Sequence, residues 1–281
     1  MRRLGGKEVA DEIMADLKIR VDELKAKGTE PKLAILRVGQ REDDLAYERG
    51  VLKRFGTIDV AVEVTELDAG VSQEELDKTF DSINNDPKVH GILVFRPLPK
   101  GLSDEHMRRT IDPGKDVDFM DIRNMEDCLA GVRDCSAPCT AEAVMELIKH
   151  YQIETKGKKV TVVGRSLVIG KPVALLLTTA NATVTVCHTK TVNTEEECKR
   201  ADIIVACCGV AKIINENYVR EGQIVIDVGM NVDEEGKLCG DVDYDKVSEI
   251  AEAVTPVPGG VGSITTAILL KHVVVNAERQ A

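Results

Sequence analysis

The sequence predicts an α/β protein of two domains, and three observations support this prediction. Short apolar segments of strand length alternate with longer segments of helical periodicity in both halves of the chain, which is typical of mainly parallel sheets. The chain has 281 residues, more than one hydrophobic core usually holds, so two domains of roughly 100–150 residues each are expected. Residues 112–139 are rich in polar and turn-forming residues, and we expect them to connect the two halves.

The first half begins with a helix and continues as an alternation of strands and helices. Residues 7–26 place apolar side chains at helical spacing with charged residues between them, which predicts an amphipathic helix. Residues 31–39 form a short apolar segment that ends in glycine, and comparable segments recur at 58–66 and 90–95. We expect these three segments to be strands of one sheet.

The second half repeats this alternation after Thr140. Segments near 159–163, 183–187, 202–206 and 223–228 have the length and apolar content of buried strands, and helical patterns separate them. The final helical pattern covers residues 265–278, and its sequence allows it to pack on either half. The second half is therefore predicted to contain a second, mainly parallel sheet.

Composition and charge exclude several classes of protein. A formal net charge of −11 argues against binding nucleic acid or an anionic membrane, since both partners require a positive field. The sequence contains neither the apolar core of a signal peptide nor an apolar run long enough to span a membrane. Eight unevenly spaced cysteines, with Cys207 and Cys208 adjacent, indicate reduced thiols rather than disulfides or a metal site. We expect a cytoplasmic protein without a bound metal.

A glycine turn after the strand at 159–163 is the first candidate binding motif. A buried strand that runs into a glycine turn and then a helix is a typical setting for a dinucleotide. The spacing of Gly164 and Gly170 differs from the usual GxGxxG pattern, so an ordinary connection between strand and helix remains the alternative. Arg165 favours the binding site, because a guanidinium can hold a phosphate while the helix beginning near Gly170 adds a positive dipole end.

The end of the next strand bears on the choice between NADP and NAD. Enzymes that use NAD usually place an acidic residue there, against the ribose 2′-hydroxyl. Residues 187–191 contain no acid, and Arg165, Thr189 and Lys190 are available to neutralise a 2′-phosphate. The sequence therefore favours NADP, with NAD as the alternative, and gives His188 no catalytic role.

Three further features are ambiguous when each is taken alone. Residues 255–263 are rich in proline and glycine, which suits close backbone approach to a flat ligand and equally suits a structural turn. Tyr47 and Asp118 are either functional side chains or, respectively, a core residue and a loop cap.

Taken together, these segments resemble the bifunctional methylenetetrahydrofolate dehydrogenase/cyclohydrolases along almost the whole chain. The matching segments are residues 91–94 with 97–99, 115–118, 138–140, 163–166, 181–185, 225–229, 240–243 and 255–262. This resemblance implies an N-terminal α/β catalytic domain, a Rossmann-type dinucleotide-binding domain and a cleft between them. We expect the folate-binding domain to comprise residues 1–139 with 265–281, and the NAD(P)-binding domain to comprise residues 140–264.

The resemblance also implies an activity and a set of site residues. The activity is hydride transfer from 5,10-methylenetetrahydrofolate to NADP, giving 5,10-methenyltetrahydrofolate, in an enzyme that forms a homodimer. Tyr47 would stack on the aminobenzoate ring and Asp118 would accept hydrogen bonds from the pterin, and these two are the expected catalytic residues. The expected substrate-binding residues also include Phe95, Pro258, Gly259, Gly260, Val261 and Gly262. The expected cofactor-binding residues are Gly164, Arg165, Ser166, Gly170, Thr189 and Met230.

The chain departs from the family pattern where the second activity requires a base. The family motif Tyr-x-x-x-Lys has Val51 in place of its lysine, and the partner glutamine is replaced by Phe95, followed by Arg96 instead of leucine. Hydrolysis of the methenyl cation needs an activated water, whereas hydride transfer needs mainly orientation. We therefore expect weak or lost cyclohydrolase activity.

Two alternatives to this expectation remain open from the sequence. The first is a fully bifunctional enzyme in which Arg96 or Lys53 replaces the missing lysine. The second is a catalytically silent protein that binds folate or a nucleotide. The presence of Asp118, Arg165 and the glycine-rich loop argues against the second alternative.

Overall fold

The structure, a computed structural model, describes residues 1–132 and 136–281. In chain order, its strands are β1 (Arg2–Arg3), β2 (Lys32–Val38), β3 (Ala61–Leu67), β4 (Gly91–Val94), β5 (Lys159–Val163), β6 (Thr183–Cys187), β7 (Ile203–Ala206), β8 (Ile224–Asp227), β9 (Asn231–Val232), β10 (Leu238–Cys239) and β11 (Ala253–Val254). Its helices are α1 (Lys7–Ala26), α2 (Glu42–Gly56), α3 (Gln73–Asn84), α4 (Glu105–Thr110), α5 (Glu126–Ala130), α6 (Cys139–His150), α7 (Gly170–Thr179), α8 (Thr194–Lys199), α9 (Tyr244–Ser248) and α10 (Thr265–Gln280). Short 3₁₀ turns cover Ile122–Met125, Glu216–Tyr218 and Val261–Ser263.

The chain divides into two compact units. The amino-terminal unit contains residues 12–126 and 266–281. Its sheet has three parallel strands in the order β3-β2-β4, with Leu33 paired to Val62 on one side and to Gly91 on the other. The central strand β2 is almost entirely buried and β3 is partly exposed. This difference explains why β2 and β4 have continuous apolar sequences while β3 alternates with polar residues.

The carboxy-terminal unit contains residues 1–11 and 127–265. Its sheet has six parallel strands in the order β1-β11-β8-β7-β5-β6, and β9 and β10 form a separate antiparallel hairpin. The chain passes from β5 to β6 at one side and then crosses to β7 on the other side of β5. This reversal makes the carboxyl ends of β5 and β7 a topological switch point, where open α/β sheets bind ligands.

The two units differ in three places from the boundaries predicted above, and the smallest difference is that Thr265 belongs to the carboxy-terminal unit. Residues 1–11 belong to the carboxy-terminal unit because β1 pairs in parallel with β11, and Leu4 N donates to Val254 O at 2.9 Å. A strand of two arginines has no hydrophobic signal that the sequence could reveal. The third difference is that the division lies at Glu126 and Asp127 instead of after residue 139, within the segment predicted to connect the two halves. Residues 133–135 of that segment lie outside the described residues.

The predicted two-domain α/β fold with parallel sheets is confirmed, and every strand proposed above has a counterpart. The largest displacement is in the segment 58–66, where the strand begins only at Ala61. Helix α2 ends at Gly56 and a tight turn follows, in which Val60 N donates to Phe55 O at 3.1 Å and Asp59 has a φ of 58°. Ile58 and Val60 are therefore apolar because they are buried in this turn. Among the described helices, none has the length and apolar character needed to cross a membrane.

Gly91 provides a test of how closely the amino-terminal unit is packed. A Cβ atom at Gly91 would lie 2.7 Å from Val273 Cγ2 and 2.8 Å from Val117 Cγ1. We expect Gly91→Ala to lower the free energy of unfolding by about 1–3 kcal/mol, measured by denaturant titration, because β4 and α10 must separate to admit a methyl group. The matched control is Gly50→Ala at an exposed position of α2, where nothing lies within 4 Å of the added Cβ atom. This change should stabilise the protein by about 0.5–1 kcal/mol. Equal stability of the two variants would contradict this account of the packing.

Candidate active site

Two aromatic side chains meet at the carboxyl end of β4. Phe95 directly follows β4, and its backbone N–H donates to Leu36 O at 3.0 Å, which extends the strand pairing by one residue. The ring of Tyr47, on α2, lies 5.9 Å from the ring of Phe95 between centroids, at an interplanar angle of 56°. Phe95 is buried and Tyr47 is 38% exposed. The pair therefore presents the tyrosine as the accessible aromatic surface.

Val51 lies one helical turn after Tyr47 and is completely buried. Phe55, a further turn along α2, is buried as well, so this face of the helix packs into the core of the unit. Lys53 lies on the exposed side of α2. Val51 and Phe95 thus both have apolar side chains that are packed inside the protein.

A buried arginine anchors the helix that carries Tyr47, and sequence reasoning missed it. Arg37 on β2 donates through Nε to Glu48 on α2 and through Nη2 to Glu66 on β3, both at 2.9 Å. It also donates to the backbone oxygen of Gly39. Burial alone would lower the pKa of Arg37, but the hydrogen bonds to the two glutamates outweigh it and raise that pKa. Arg37 therefore remains charged and holds α2 at Glu48, the residue directly after Tyr47.

Asp118 forms an ion pair that the sequence did not suggest. Arg96 Nη2 donates to Asp118 Oδ2 at 2.5 Å, and Arg96 Nη1 lies 3.7 Å from Asp104 Oδ2. Burial raises the pKa of Asp118, and the charge and hydrogen bond of Arg96 oppose this rise. Since its guanidinium is held by two carboxylates and has no acceptor atom, Arg96 is poorly suited to act as a base.

The backbone around Asp118 is organised by a second carboxylate. The buried Asp116 accepts hydrogen bonds from the backbone N–H groups of Asp118, Met120 and Asp121, at 3.3, 3.0 and 2.9 Å. The side-chain amide of Asn124 donates to it at 2.8 Å. Asp116 thus shapes the loop that presents Asp118, which explains why the segment contains two aspartates with different environments.

The predicted dinucleotide motif forms a cavity at the switch point of the carboxy-terminal unit. The cavity has a volume of about 380 Å³ and lies at the carboxyl ends of β5, β6 and β7. Its lining includes four predicted cofactor residues, Gly164, Arg165, Ser166 and Thr189. Sequence reasoning assigned no cofactor role to the other lining residues, most of which lie on segments without a recognisable motif: Val163, His188, Thr194, Cys207, Cys208, Val210, Ile213, Ile214 and Tyr218.

Gly164 is required by the close approach of two strand ends. Its φ is 136°, and a Cβ atom would lie 2.3 Å from the backbone oxygen of Cys207. Gly170 is equally constrained, because its Cβ would lie 2.3 Å from Gly164 O. The unusual spacing of these two glycines therefore reflects a turn in which β5, β7 and the start of α7 are packed against one another.

The start of α7 differs from the expected phosphate site. Ser166 Oγ accepts hydrogen bonds from the backbone N–H groups of Ile169 and Gly170 at 3.1 and 3.3 Å, and Lys171 N donates to Ser166 O. The helix start is thus capped by the protein itself. Gly170 is buried and does not line the cavity, so its predicted cofactor role stays a prediction.

Arg165 and the end of β6 define the charge of the cavity. Within residues 1–132 and 136–281, Arg165 makes no hydrogen bond or ion pair, although it lines the cavity. His188 and Thr189 line it too, whereas Lys190 does not, and the backbone N–H of Lys190 donates to His188 Nδ1 at 3.1 Å. The described lining residues include no carboxylate. Burial raises the pKa of Cys207 and of Cys208 to about 12, so both thiols are neutral at physiological pH.

Most of the proline- and glycine-rich loop lines a second, smaller cavity of about 200 Å³ in the same unit. Pro258, Gly259, Gly260 and Gly262 line it together with Met230. Val261 was predicted with the substrate residues, but its side chain is buried in the core and does not line this cavity. The buried Val261 side chain anchors the loop in the core, and the glycines on either side of it line the cavity.

A parallel sheet with a glycine turn and an unpaired arginine at its switch point defines a dinucleotide-binding protein. The family model described as the tetrahydrofolate dehydrogenase/cyclohydrolase catalytic domain matches residues 4–118, and the NAD(P)-binding domain of the same family matches residues 138–281. The chain belongs to this family. The expectation of a nicotinamide dinucleotide is thereby confirmed at the level of the family.

Individual relatives agree with this assignment. The bifunctional protein FolD of Clostridioides difficile strain 630 is 51% identical over 269 residues, covering 96% of this chain and 94% of that protein. The crystal structure of the bifunctional enzyme FolD from Campylobacter jejuni has a TM-score of 0.96 at 37% identity and covers 100% of both chains. The FolD of Trypanosoma brucei, complexed with NADP and an inhibitor, has a TM-score of 0.91 at 34% identity and covers 98% of this chain and 96% of its own.

The Arg96–Asp118 pair generates a prediction about protonation. Replacing Arg96 by leucine removes the cation that holds the pKa of Asp118 down, so the pKa of this carboxyl should rise further. The measurement is a pH titration of the carboxyl-carbon NMR signal of Asp118, assigned by its loss in Asp118→Asn. Arg108→Leu is the matched control, since Arg108 pairs with Asp104 but not with Asp118. An identical titration of Asp118 in wild type and Arg96→Leu would refute the pairing.

Proposed function

We propose that this protein oxidises 5,10-methylenetetrahydrofolate to 5,10-methenyltetrahydrofolate with NADP, and that its cyclohydrolase activity is weak or absent. The observation that carries this proposal is the replacement of the family's lysine and glutamine by Val51 and Phe95, which are both buried and apolar. The first activity is the one named first for the relatives with which the chain shares its family. The second depends on groups that this chain lacks.

The two reactions make different demands on the protein. In the oxidation a hydride leaves the methylene carbon, and bound NADP supplies the acceptor. The protein has to orient the folate and keep water away, and no side chain must take a proton from that carbon. In the hydrolysis a water adds to the methenyl carbon and must lose a proton, which is the task of a general base. Neither a valine nor a phenylalanine can accept that proton.

Three basic groups of the amino-terminal unit support the same conclusion. Arg96 is held by Asp118 and Asp104, and Arg37 by Glu48 and Glu66, and a guanidinium has no acceptor atom. Lys53 lies on the side of α2 away from buried Val51. Use of Arg96 or Lys53 as the base of a bifunctional enzyme would therefore need a rearrangement.

The roles of the site residues form part of this proposal. Tyr47, as the accessible member of its aromatic pair with Phe95, would stack on the aminobenzoate ring, and Asp118 would accept hydrogen bonds from the pterin. The loop from Pro258 to Gly262 would contact the substrate through its backbone, with Val261 as its anchor. We further propose that the two units correspond to a folate-binding and a dinucleotide-binding domain, and that the protein acts as a homodimer.

NADP is favoured over NAD by the charge of the larger cavity. Arg165 is unpaired among the described residues, and the lining contains no carboxylate that would repel a 2′-phosphate. Thr189 adds a hydroxyl at the end of β6, where an acid would favour NAD. The Trypanosoma brucei relative was solved with NADP.

The proposed loss of one activity is tested with two separate assays on the purified protein. Methylene oxidation should be measurable by NADPH formation, whereas methenyl absorbance should decay close to its spontaneous rate in a buffer where that reaction is slow. We expect the rate of hydrolysis to be about 10²–10⁴-fold lower than that of an enzyme with a general base, because this is the usual contribution of such a group. Hydrolysis at a rate comparable to oxidation would overturn the proposal and direct attention to Arg96 or Lys53.

Restoring the family residues tests the cause of this deficit. The double variant Val51→Lys with Phe95→Gln should raise methenyl hydrolysis more than either single change, because a lone buried lysine lacks its polar neighbour. Val51 is completely buried, so Val51→Lys alone should also lower stability. Lys53→Ala is the matched control and should leave both rates unchanged. Additive effects of the two restoring changes would show that these positions do not cooperate.

The cofactor assignment is tested by Arg165→Ala. A charge-assisted phosphate contact contributes about 1.5–3 kcal/mol, so affinity for NADP should fall roughly ten- to a hundredfold while affinity for NAD changes little. Lys171→Ala removes a nearby exposed cation that does not line the cavity, and it should affect neither cofactor. Fluorescence titration with each dinucleotide provides the measurement. An equal loss for NADP and NAD would contradict a contact with the 2′-phosphate.

A further inference from the structure

Two sequence motifs of the carboxy-terminal unit, residues 225–229 and 240–243, have no role in the function proposed above. Each contributes one buried carboxylate, Asp227 at the end of β8 and Asp241 after β10. Neither forms an ion pair with any described basic residue, and both are surrounded by N–H donors. A buried carboxylate without a cation is costly unless its oxygens are fully hydrogen-bonded, so the donors indicate what each carboxylate does.

Asp241 binds the loop that follows β7. Its Oδ2 accepts from the backbone N–H groups of Cys208 and Gly209 at 2.6 and 3.0 Å, and its Oδ1 accepts from Val210 N at 2.9 Å. Three successive N–H groups that converge in this way form an anion-binding concavity. Here the protein's own carboxylate fills the concavity, so these groups do not bind a cofactor phosphate directly.

The same carboxylate reaches a second segment. The side-chain amide of Asn231 donates to Asp241 Oδ1 at 2.9 Å. Asn231 directly follows Met230, which lines the smaller cavity, while Cys208 and Val210 line the larger one. One side chain therefore connects the walls of the two cavities within this unit.

Asp227 holds Asp241 in place. Its Oδ1 accepts from the backbone N–H groups of Gly229 and Asp241 at 2.9 and 3.0 Å, and its Oδ2 accepts from Val242 N at 3.0 Å. A Cβ atom at Gly240 would lie 1.8 Å from Asp227 Oδ2, so the two motifs touch at a glycine. Burial raises the pKa of Asp227 to about 6, and its backbone donors oppose that rise. The carboxylate of Asp227 thus links the first motif to the second.

We propose that Asp241 is a positioning residue for the dinucleotide: by binding residues 208–210 and Asn231 together, it sets the shape of the cavity walls before the cofactor arrives. It contacts neither cavity itself. Pre-organised walls bind a ligand more tightly, because binding then does not include the entropy cost of ordering the loop. The proposal rests on dinucleotide binding by this unit and is independent of which folate reaction the protein catalyses.

A carboxylate that only stabilises the fold would behave differently, and the chain offers a control of that kind. Asp233, in the turn between β9 and β10, accepts from the backbone N–H groups of Glu235 and Lys237 at 3.1 and 2.9 Å. It also pairs with Lys212, and it lines neither cavity. Asp233→Asn therefore weakens a similar set of hydrogen bonds without removing a contact to residues 208–210 or Asn231.

The experiment compares NADP binding by wild type, Asp241→Asn and Asp233→Asn in equilibrium titrations without folate, at pH 8, where Asp227 is ionised. An asparagine at position 241 has one acceptor oxygen for four donors, and its NH₂ group opposes the others. Affinity for NADP should fall roughly tenfold or more in Asp241→Asn, while Asp233→Asn should bind as the wild type does. In steady-state assays of Asp241→Asn the KM for NADP should rise. The kcat at saturating NADP should stay within about twofold of the wild-type value, because Asp241 does not touch the reacting atoms.

A milder variant keeps the test valid where Asp241→Asn fails to fold. Asn231→Ala removes one of the four donors and should weaken NADP binding by roughly three- to tenfold with the fold intact. Unchanged NADP affinity in a folded Asp241→Asn, or in Asn231→Ala, would overturn the proposal and leave Asp241 as a fold-stabilising residue. Equal losses in Asp241→Asn and Asp233→Asn would overturn it as well. Failure of the wild type itself to bind NADP would instead refute the proposed function.

Discussion

The parallel pairing of β5 with β6 on one side and β7 on the other is the constraint on which the dinucleotide cavity depends. It brings three strand ends together, so the loops that follow them must share a small volume. Gly164 satisfies this requirement by leaving space for the backbone of Cys207. Once the loop after β7 lies so close to β5, its N–H groups need acceptors away from the cavity, and Asp241 provides them. The glycine turn and the buried carboxylate are two consequences of one topology.

The arginines at the candidate sites of the two units are used in opposite ways. In the amino-terminal unit, Arg37 and Arg96 are each held by two carboxylates, so their charge shapes α2 and the Asp118 loop. In the carboxy-terminal unit, Asp227 and Asp241 satisfy backbone donors, and Arg165 stays unpaired among the described residues. Because charge–charge contacts within the protein compete with contacts to a ligand, only an uncommitted cation can contribute its full attraction to a phosphate. This distribution explains how a chain of net charge −11 can still bind an anionic cofactor.

The sequence predicted the regular parts of the molecule because their signals are local. Buried strands such as β5 and β7 appear as short apolar runs, and α1 and α10 appear as helical patterns. It did not predict β1, whose position depends only on backbone pairing with a distant strand. For the same reason it missed the partners of Arg37 and Asp118, which are 11, 29 and 22 residues away. Motifs identified the residues of the candidate sites, but the contacts between motifs required coordinates.

Under the function proposed above, the replacement of a lysine by Val51 removes one activity while the fold is preserved. A buried polar position is costly to keep, since its charge must be paired and hydrogen-bonded, and an apolar residue in its place removes that cost. Val51 is packed without exposure, and Phe95 pairs with the ring of Tyr47, which lies one helical turn before Val51. The two proposed changes are mutually consistent, because each would remove the polar partner of the other. In the proposed oxidation, hydride transfer depends on orientation, and the Tyr47–Phe95 pair would contribute to it as a rigid aromatic wall.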